Sequence, residues 1–170
     1  MPESLKIPSK NLQTKLNFAC GPDYRKGWFN VDIRKDIKTD LVLDGNKYPY
    51  PFPRNHFEEI NAENIIEHLN DPIKFLKELA RISKKNGIID ITTTHGFSYA
   101  FISDIQHKTA FTENSFSPKL MEEYGLKNIE LIKKEFIYHN KWKKLIPFKS
   151  KLKIFFIGIY EDLRFVFRKI

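Results

Sequence analysis

The stretch Leu16 to Ile33, LNFACGPDYRKGWFNVDI, holds the residues best suited to chemistry. An apolar, strand-like segment runs into Ala19-Cys20-Gly21-Pro22, and a second apolar segment ends on Asp32-Ile33. Small residues at such a turn let a ligand approach the backbone, where a larger side chain would collide. A carboxylate at the end of the following strand accepts two neighbouring hydroxyls at once, which is why dinucleotide sites place an acid there. Nucleotide loops of this kind, however, carry three glycines and a helix. Here two glycines and only eight residues, Cys20 to Gly27, separate the two apolar segments. Parallel neighbours need a crossover of about a dozen residues, so on spacing alone a hairpin is the better reading. Cys20 has no activating base in the motif and is expected to pack rather than react.

The elements that must position these residues follow from periodicity and punctuation. Met1 to Thr14 is polar with two prolines and reads as a mobile lead. Lys15 to Ala19, Trp28 to Ile33, Asp40 to Leu43 and Phe57 to Ala62 read as strands. Between the third and fourth, Pro49, Pro51 and Pro53 forbid regular structure. Asp71-Pro72 opens the clearest helix, with Asp as cap and Pro in the first turn. Ile73, Leu76, Leu79, Ala80 and Ile82 give it one apolar face, and Asn86-Gly87 is expected to end it. Ile88 to Thr93 then reads as a strand, Ser115 to Tyr124 as a helix stopped by Gly125, and Asn128 to Tyr138 and Leu163 to Lys169 as strands. Lys149 to Tyr160 is ambiguous, with some helical spacing. Strands separated by helices indicate an α/β sheet with parallel pairs.

At 170 residues and 41% hydrophobic content, the chain fits a single domain, 15–170, behind the lead 1–14. One cysteine forms no internal disulfide, and no signal peptide or membrane-length apolar run is found, so a cytoplasmic location is expected. Charge is uneven. Residues 126–170 carry 12 Lys/Arg against 4 Asp/Glu, leaving residues 1–125 with 17 of each. A basic region of this kind is either a solvated face or a contact for an anionic partner.

Taken in order, LNFACGPDYRKGWFNVDI, TDLVLDG and YPFPRNHFEEINAENIIEHLNDPIKFLKELARISKKNGIIDITT resemble the class I S-adenosylmethionine-dependent methyltransferases, in particular a compact type 11-like subgroup. Its motifs run approximately L-N-x-G-[CS]-G, G-W-x-N-x-D, D-L/G, L-P-F-P, F-D-x-I and E-H-L. The resemblance covers Lys15 to Thr94 and continues more weakly through His107 and FTENSF. It implies an α/β, Rossmann-like sheet of order 3-2-1-4-5-7-6 with strand seven antiparallel, and reduced helices between strands one and two and between two and three.

The resemblance also implies roles. The cofactor would be S-adenosyl-L-methionine, held by Phe18, Ala19, Cys20, Gly21, Asp32, Ile33, Asp44, Gly45, Ala62, Glu63 and His68. Ala19 stands where the family usually has its first glycine; Asp32 would take the ribose hydroxyls and Asp44 the adenine amine. His107, in the loop that faces substrate in this fold, is the expected general base. Some relatives bind a divalent metal through an E-x-x-E-H run. This chain reads Asn64-Ile65-Ile66-Glu67-His68, with Glu63 one residue out of register, so no metal is expected. The implied reaction is methyl transfer to an O or N nucleophile of a small acceptor carrying sugar or phosphate. Two alternatives stand beside it: a degenerate binding or scaffold module, and contact of residues 141–153 with nucleic acid or an anionic membrane.

Overall fold

A computed structural model describes residues 12–138, 145, 147 and 158–170. Seven strands form one sheet: β1 Lys15–Phe18, β2 Phe29–Asp32, β3 Leu41–Val42, β4 Phe57–Glu63, β5 Ser83–Thr94, β6 Ile129–Ile137 and β7 Asp162–Lys169. Their order is β3-β2-β1-β4-β5-β7-β6, as the resemblance implies. β1 pairs in parallel with both β2 and β4, and β7 runs antiparallel to β5 and β6. The hairpin favoured by spacing is therefore overturned. Leu16, Asn17 and Phe18 lie beside Phe29, Asn30 and Val31 in parallel register.

The link from β1 to β2 needs no helix because side-chain amides hold it. Asn17 Nδ2 donates to the Asp23 carbonyl at 2.7 Å and to Asn30 Oδ1 at 3.1 Å. Asn30 Nδ2 donates to the carbonyls of Arg25 and Trp28, and Asn30 Oδ1 accepts from the Arg25 N–H. Asn61 Nδ2 extends the row to Asn17 Oδ1 at 3.2 Å. Three register partners thus satisfy loop groups that a crossover helix would have satisfied internally.

The clear helix is α1, Pro72–Ile82, capped by Asp71 accepting from the Lys74 N–H. It buries Phe75, Leu76, Leu79, Ala80 and Ile82. It ends four residues before the expected Asn86-Gly87 stop. Ser83 leaves the helix with an extended backbone and bonds the Leu79 carbonyl through its hydroxyl. Asn86, at φ 63°, instead turns the chain inside β5, where Phe57 pairs with Ser83 but Glu59 with Ile88. Gly87 is required in that bulge, since a Cβ would stand 2.9 Å from two backbone oxygens. The later helix is also shorter than expected: α3 covers Pro118–Glu123, and Ser115-Phe116 form a turn before it. Neither α2, Tyr99–Ser103, nor the 3-10 turn Ile66–His68 carries a sequence signal of its own.

Of the expected lead, residues 1–11 lie outside the described residues. Leu12 is buried, and the Thr14 carbonyl accepts from the Glu58 N–H, so the lead's end is fastened beside β4. Most of 149–160, the ambiguous segment, is also outside. Among the described residues no helix is long and apolar enough to cross a membrane.

Candidate active site

The carboxyl ends of β1, β2 and β4 open into a cleft of about 900 Å3. Its wall includes Phe18, Ala19, Cys20, Gly21, Asp32, Ile33, Asp44, Gly45, Glu63 and His68, ten of the eleven residues expected to hold the cofactor. The eleventh is a correction. Ala62 is fully buried in the core beside Phe18 and Ile91, while Asn61 and Glu63, which alternate with it, face the cleft.

β1 ends at Phe18, one residue earlier than expected, because Ala19 turns left-handed at φ 54°. Gly21 does so again at φ 53°. This pair of turns folds the backbone back toward β2, where the Gly21 N–H donates to Asp32 Oδ2 at 2.8 Å. Asp32 Oδ1 accepts from the Arg34 N–H at 2.9 Å, and the residue is 7% exposed. Arg34 Nε lies 3.5 Å from the same Oδ1, and the acceptor positions that remain let Asp32 brace the loop with capacity left for hydroxyls. Cys20 is buried, and burial followed by the Asp32 charge pushes its thiol up. It packs, as expected.

Asp44 stands at the edge of the cleft. Its Oδ1 accepts from the Asn46 N–H at 3.0 Å, forming a side-chain turn at the cleft rim. Gly45 is required for packing, since a Cβ would approach Leu69 Cδ2 to 3.0 Å and the Phe18 ring to 3.4 Å. Glu63 faces Arg25 at 3.7 Å. Asn17, Asn61, Asn64 and Ile65 also line the cleft, and sequence reasoning missed them. The asparagines in L-N-F and I-N-A-E-N were the available signal.

Another part of the cleft wall is built from the loop after α2. Ile105, Gln106 and Lys108 reach the wall, and Ile105 is 98% exposed. Lys108 Nζ donates to Asn70 Oδ1 at 2.7 Å, and the backbone N–H groups of Lys108 and Thr109 donate to the Glu67 carbonyl. His107 itself is not on the wall. Its side chain is 7% exposed, stacks on Phe101 and lies against His68, with ring centroids 4.6 Å apart. His107 Nδ1 lies 3.1 Å from the Phe101 carbonyl, to which it donates. Glu67 is fully buried; Oε1 accepts from the Thr94 N–H at 3.0 Å. One ligand atom from each of Glu67, His68 and His107 lies within 4.8 Å of the others.

The donor set suits the expected cofactor. A cleft of this size, a near-buried carboxylate with spare acceptor positions and two left-handed turns bring backbone and acid to one place. Together with the strand order, they give the chain the fold of the class I S-adenosylmethionine-dependent methyltransferases. Residues 11–91 match the sequence model of the family described as "Methyltransferase domain". A 45-residue stretch is 40% identical to an uncharacterized methyltransferase of Schizosaccharomyces pombe; it is 26% of this chain and 16% of that protein. The chain thus spans only a small part of the curated relative it matches. An S-adenosylmethionine-dependent methyltransferase from Archaeoglobus fulgidus superposes with a TM-score of 0.65 at 18% identity, over 95% of this chain and 88% of that one. A putative one from Listeria monocytogenes gives 0.62 at 10% identity, over 97% and 93%.

Proposed function

We propose that this domain moves a methyl group from S-adenosylmethionine to an oxygen or nitrogen nucleophile of a small acceptor that carries sugar or phosphate. Bound in the cleft, the cofactor supplies a methyl group already activated on a sulfonium. Asp32 takes the ribose hydroxyls, while Ala19 and Gly21 give the backbone close approach. Phe18, Asp44 and Gly45 border the adenine end, with Ile33 at its edge. Transfer needs little acid–base help, so positioning and exclusion of water supply most of the rate.

The acceptor's class is argued from the wall beside Ile105. Lys108 offers an ammonium and Gln106 an amide, groups that suit phosphate or hydroxyl oxygens. His68 is the imidazole that reaches the acceptor, and His107, behind it, fixes its position. The single observation carrying the proposal is the Asp32 carboxylate, braced by two backbone amides at the mouth of the cleft. Calorimetry with S-adenosylhomocysteine tests it. Saturable binding of one ligand per chain is expected. Absence of heat at millimolar ligand, with folded protein, would leave the scaffold reading in its place. Contact of residues 141–153 with an anionic partner falls on a segment of which only Leu145 and Pro147 are described.

A further inference from the structure

Glu67 poses a problem of charge. It is fully buried, and no lysine or arginine pairs with it among the described residues. Oε1 receives one hydrogen bond, from Thr94, and Oε2 has no partner. A buried carboxylate in that state costs several kcal/mol unless a cation or a proton compensates it. The groups that converge on it are two imidazoles, those of His68 and His107, with ligand atoms within 4.8 Å. A proton would satisfy one pair of these three groups. A divalent cation satisfies all three.

The surroundings of His107 fit a metal ligand. Its Nδ1–H is committed to the Phe101 carbonyl at 3.1 Å, leaving Nε2 as its lone-pair nitrogen. An imidazole that gives one N–H to a backbone carbonyl and the other nitrogen to the ion is the usual arrangement around a bound metal. Asp104 Oδ2 lies 3.8 Å from that Nε2, adding negative charge nearby without a hydrogen bond. The Glu67 backbone is also pinned, since its carbonyl accepts from both Lys108 and Thr109 and so locks the 3-10 turn to the His107 loop. The E-x-x-E-H pattern lacks its first acid here, yet the fold supplies a third donor from a distant loop.

We infer that Glu67, His68 and His107 form a site for one first-row divalent transition-metal ion beside the acceptor end of the cleft. Two imidazole nitrogens and one carboxylate oxygen favour zinc, manganese, iron or cobalt over magnesium or calcium, which prefer oxygen ligands throughout. Three protein ligands leave further positions open. His68 is on the cleft wall, so those positions face the space where an acceptor hydroxyl would lie. A hydroxyl bound there becomes more acidic and passes its proton to water in the open cleft. Metal binding itself does not depend on the methyl-transfer reading.

The test uses the full chain stripped with a chelator, then titrated with cobalt(II) followed by its visible absorption, and with zinc(II) by calorimetry. One ion per chain is expected, with cobalt bands of a nitrogen- and oxygen-ligated ion. Glu67→Gln keeps an oxygen for the Thr94 N–H but removes the charge; with His107→Ala, it is expected to weaken binding by about a hundredfold or more. His56→Ala, remote from the cluster, leaves affinity unchanged. S-adenosylhomocysteine affinity is measured on the same samples, so failure of the cofactor site and failure of the metal site are read separately. Absence of one-site binding, or binding that both Glu67→Gln and His107→Ala leave intact, overturns the inference. If Glu67→Gln does not fold, His68→Ala, altered at the cleft wall, replaces it in the same titrations, and unchanged affinity there overturns the inference equally.

Discussion

Removing the Asp32 carboxylate separates the role it has in the fold, bracing the loop, from the role proposed for it, holding the cofactor. In the ligand-free protein it accepts the Gly21 N–H at 2.8 Å and the Arg34 N–H at 2.9 Å. Both bonds are only part-buried, so Asp32→Ala should cost about 1 kcal/mol for each, below the usual range for a charged acceptor because solvent screens them. About 2 kcal/mol in a chain of this size lowers Tm by roughly 4–8 °C. Binding loses something further. Two ribose hydroxyls bonded to a charged oxygen contribute about 1.5 kcal/mol each, about 3 kcal/mol in all, which is about a hundredfold in Kd. Asp32→Asn keeps one acceptor oxygen and should fall between wild type and alanine. Calorimetry with S-adenosylhomocysteine reads the affinity, and thermal melting of the ligand-free variants reads the loop. Folded Asp32→Ala that binds within threefold of wild type refutes the assignment, whatever its melting temperature. A lowered Tm with unchanged Kd would leave Asp32 a loop brace and nothing more.

Asn30 holds the helix-free link through four partners, Asn17, Arg25, Trp28 and Asp40. Asn30→Ala orphans several of these groups and should cost about 2–4 kcal/mol in urea unfolding; a loss below about 1 kcal/mol means that something else supports the link. Ala19 carries a Cβ in the left-handed region at φ 54°, so Ala19→Gly should gain about 1 kcal/mol and raise Tm by roughly 2–4 °C, with cofactor affinity kept; a lowered Tm contradicts that account. Burial pushes the Asp40 carboxyl up, but the Asn30 amides and the Tyr24 hydroxyl outweigh it and hold it below the ordinary range. A carboxyl depressed in the folded state contributes stability above its unfolded pKa, lost as pH falls through the folded one. Urea midpoints should therefore fall on acidification from about pH 4, and Asp40→Asn should flatten that part of the curve.

Strand order and most of the cleft were legible because ordered motifs constrain topology even where each motif is weak. Ten of the eleven expected cofactor residues reach one cleft, and the exception, Ala62, follows from strand alternation between Asn61 and Glu63. The early end of α1 was not legible. Asn86-Gly87 carries a strong stop signal, but the register of β5 on β4 uses that turn as a bulge, a tertiary decision no local window contains. His107 shows the same limit at the site. A loop imidazole reads as a base facing substrate, yet stacking on Phe101 turns it away from the wall and onto His68. Nothing in the order of residues along the chain brings it to Glu67.

The shortened loop makes physical sense when the ligand's charges are considered. A helix after the first strand earns its place in dinucleotide sites by presenting N–H groups and a positive dipole to a diphosphate. S-adenosylmethionine has no phosphate, and its methionine carboxylate is balanced by an amine and a sulfonium. The helix can therefore be lost at small cost to binding, provided its structural duty is taken over. Asn17 and Asn30 take it over, by satisfying the carbonyls of Asp23, Arg25 and Trp28 from within the sheet. What cannot be lost is the acid at the end of β2, because Gly21 depends on its oxygen and, on the proposed function, the ribose does as well. The expected pattern of tolerance follows: the 22–28 loop accepts exchange of its exposed side chains, whereas Asn17, Asn30 and Asp32 do not.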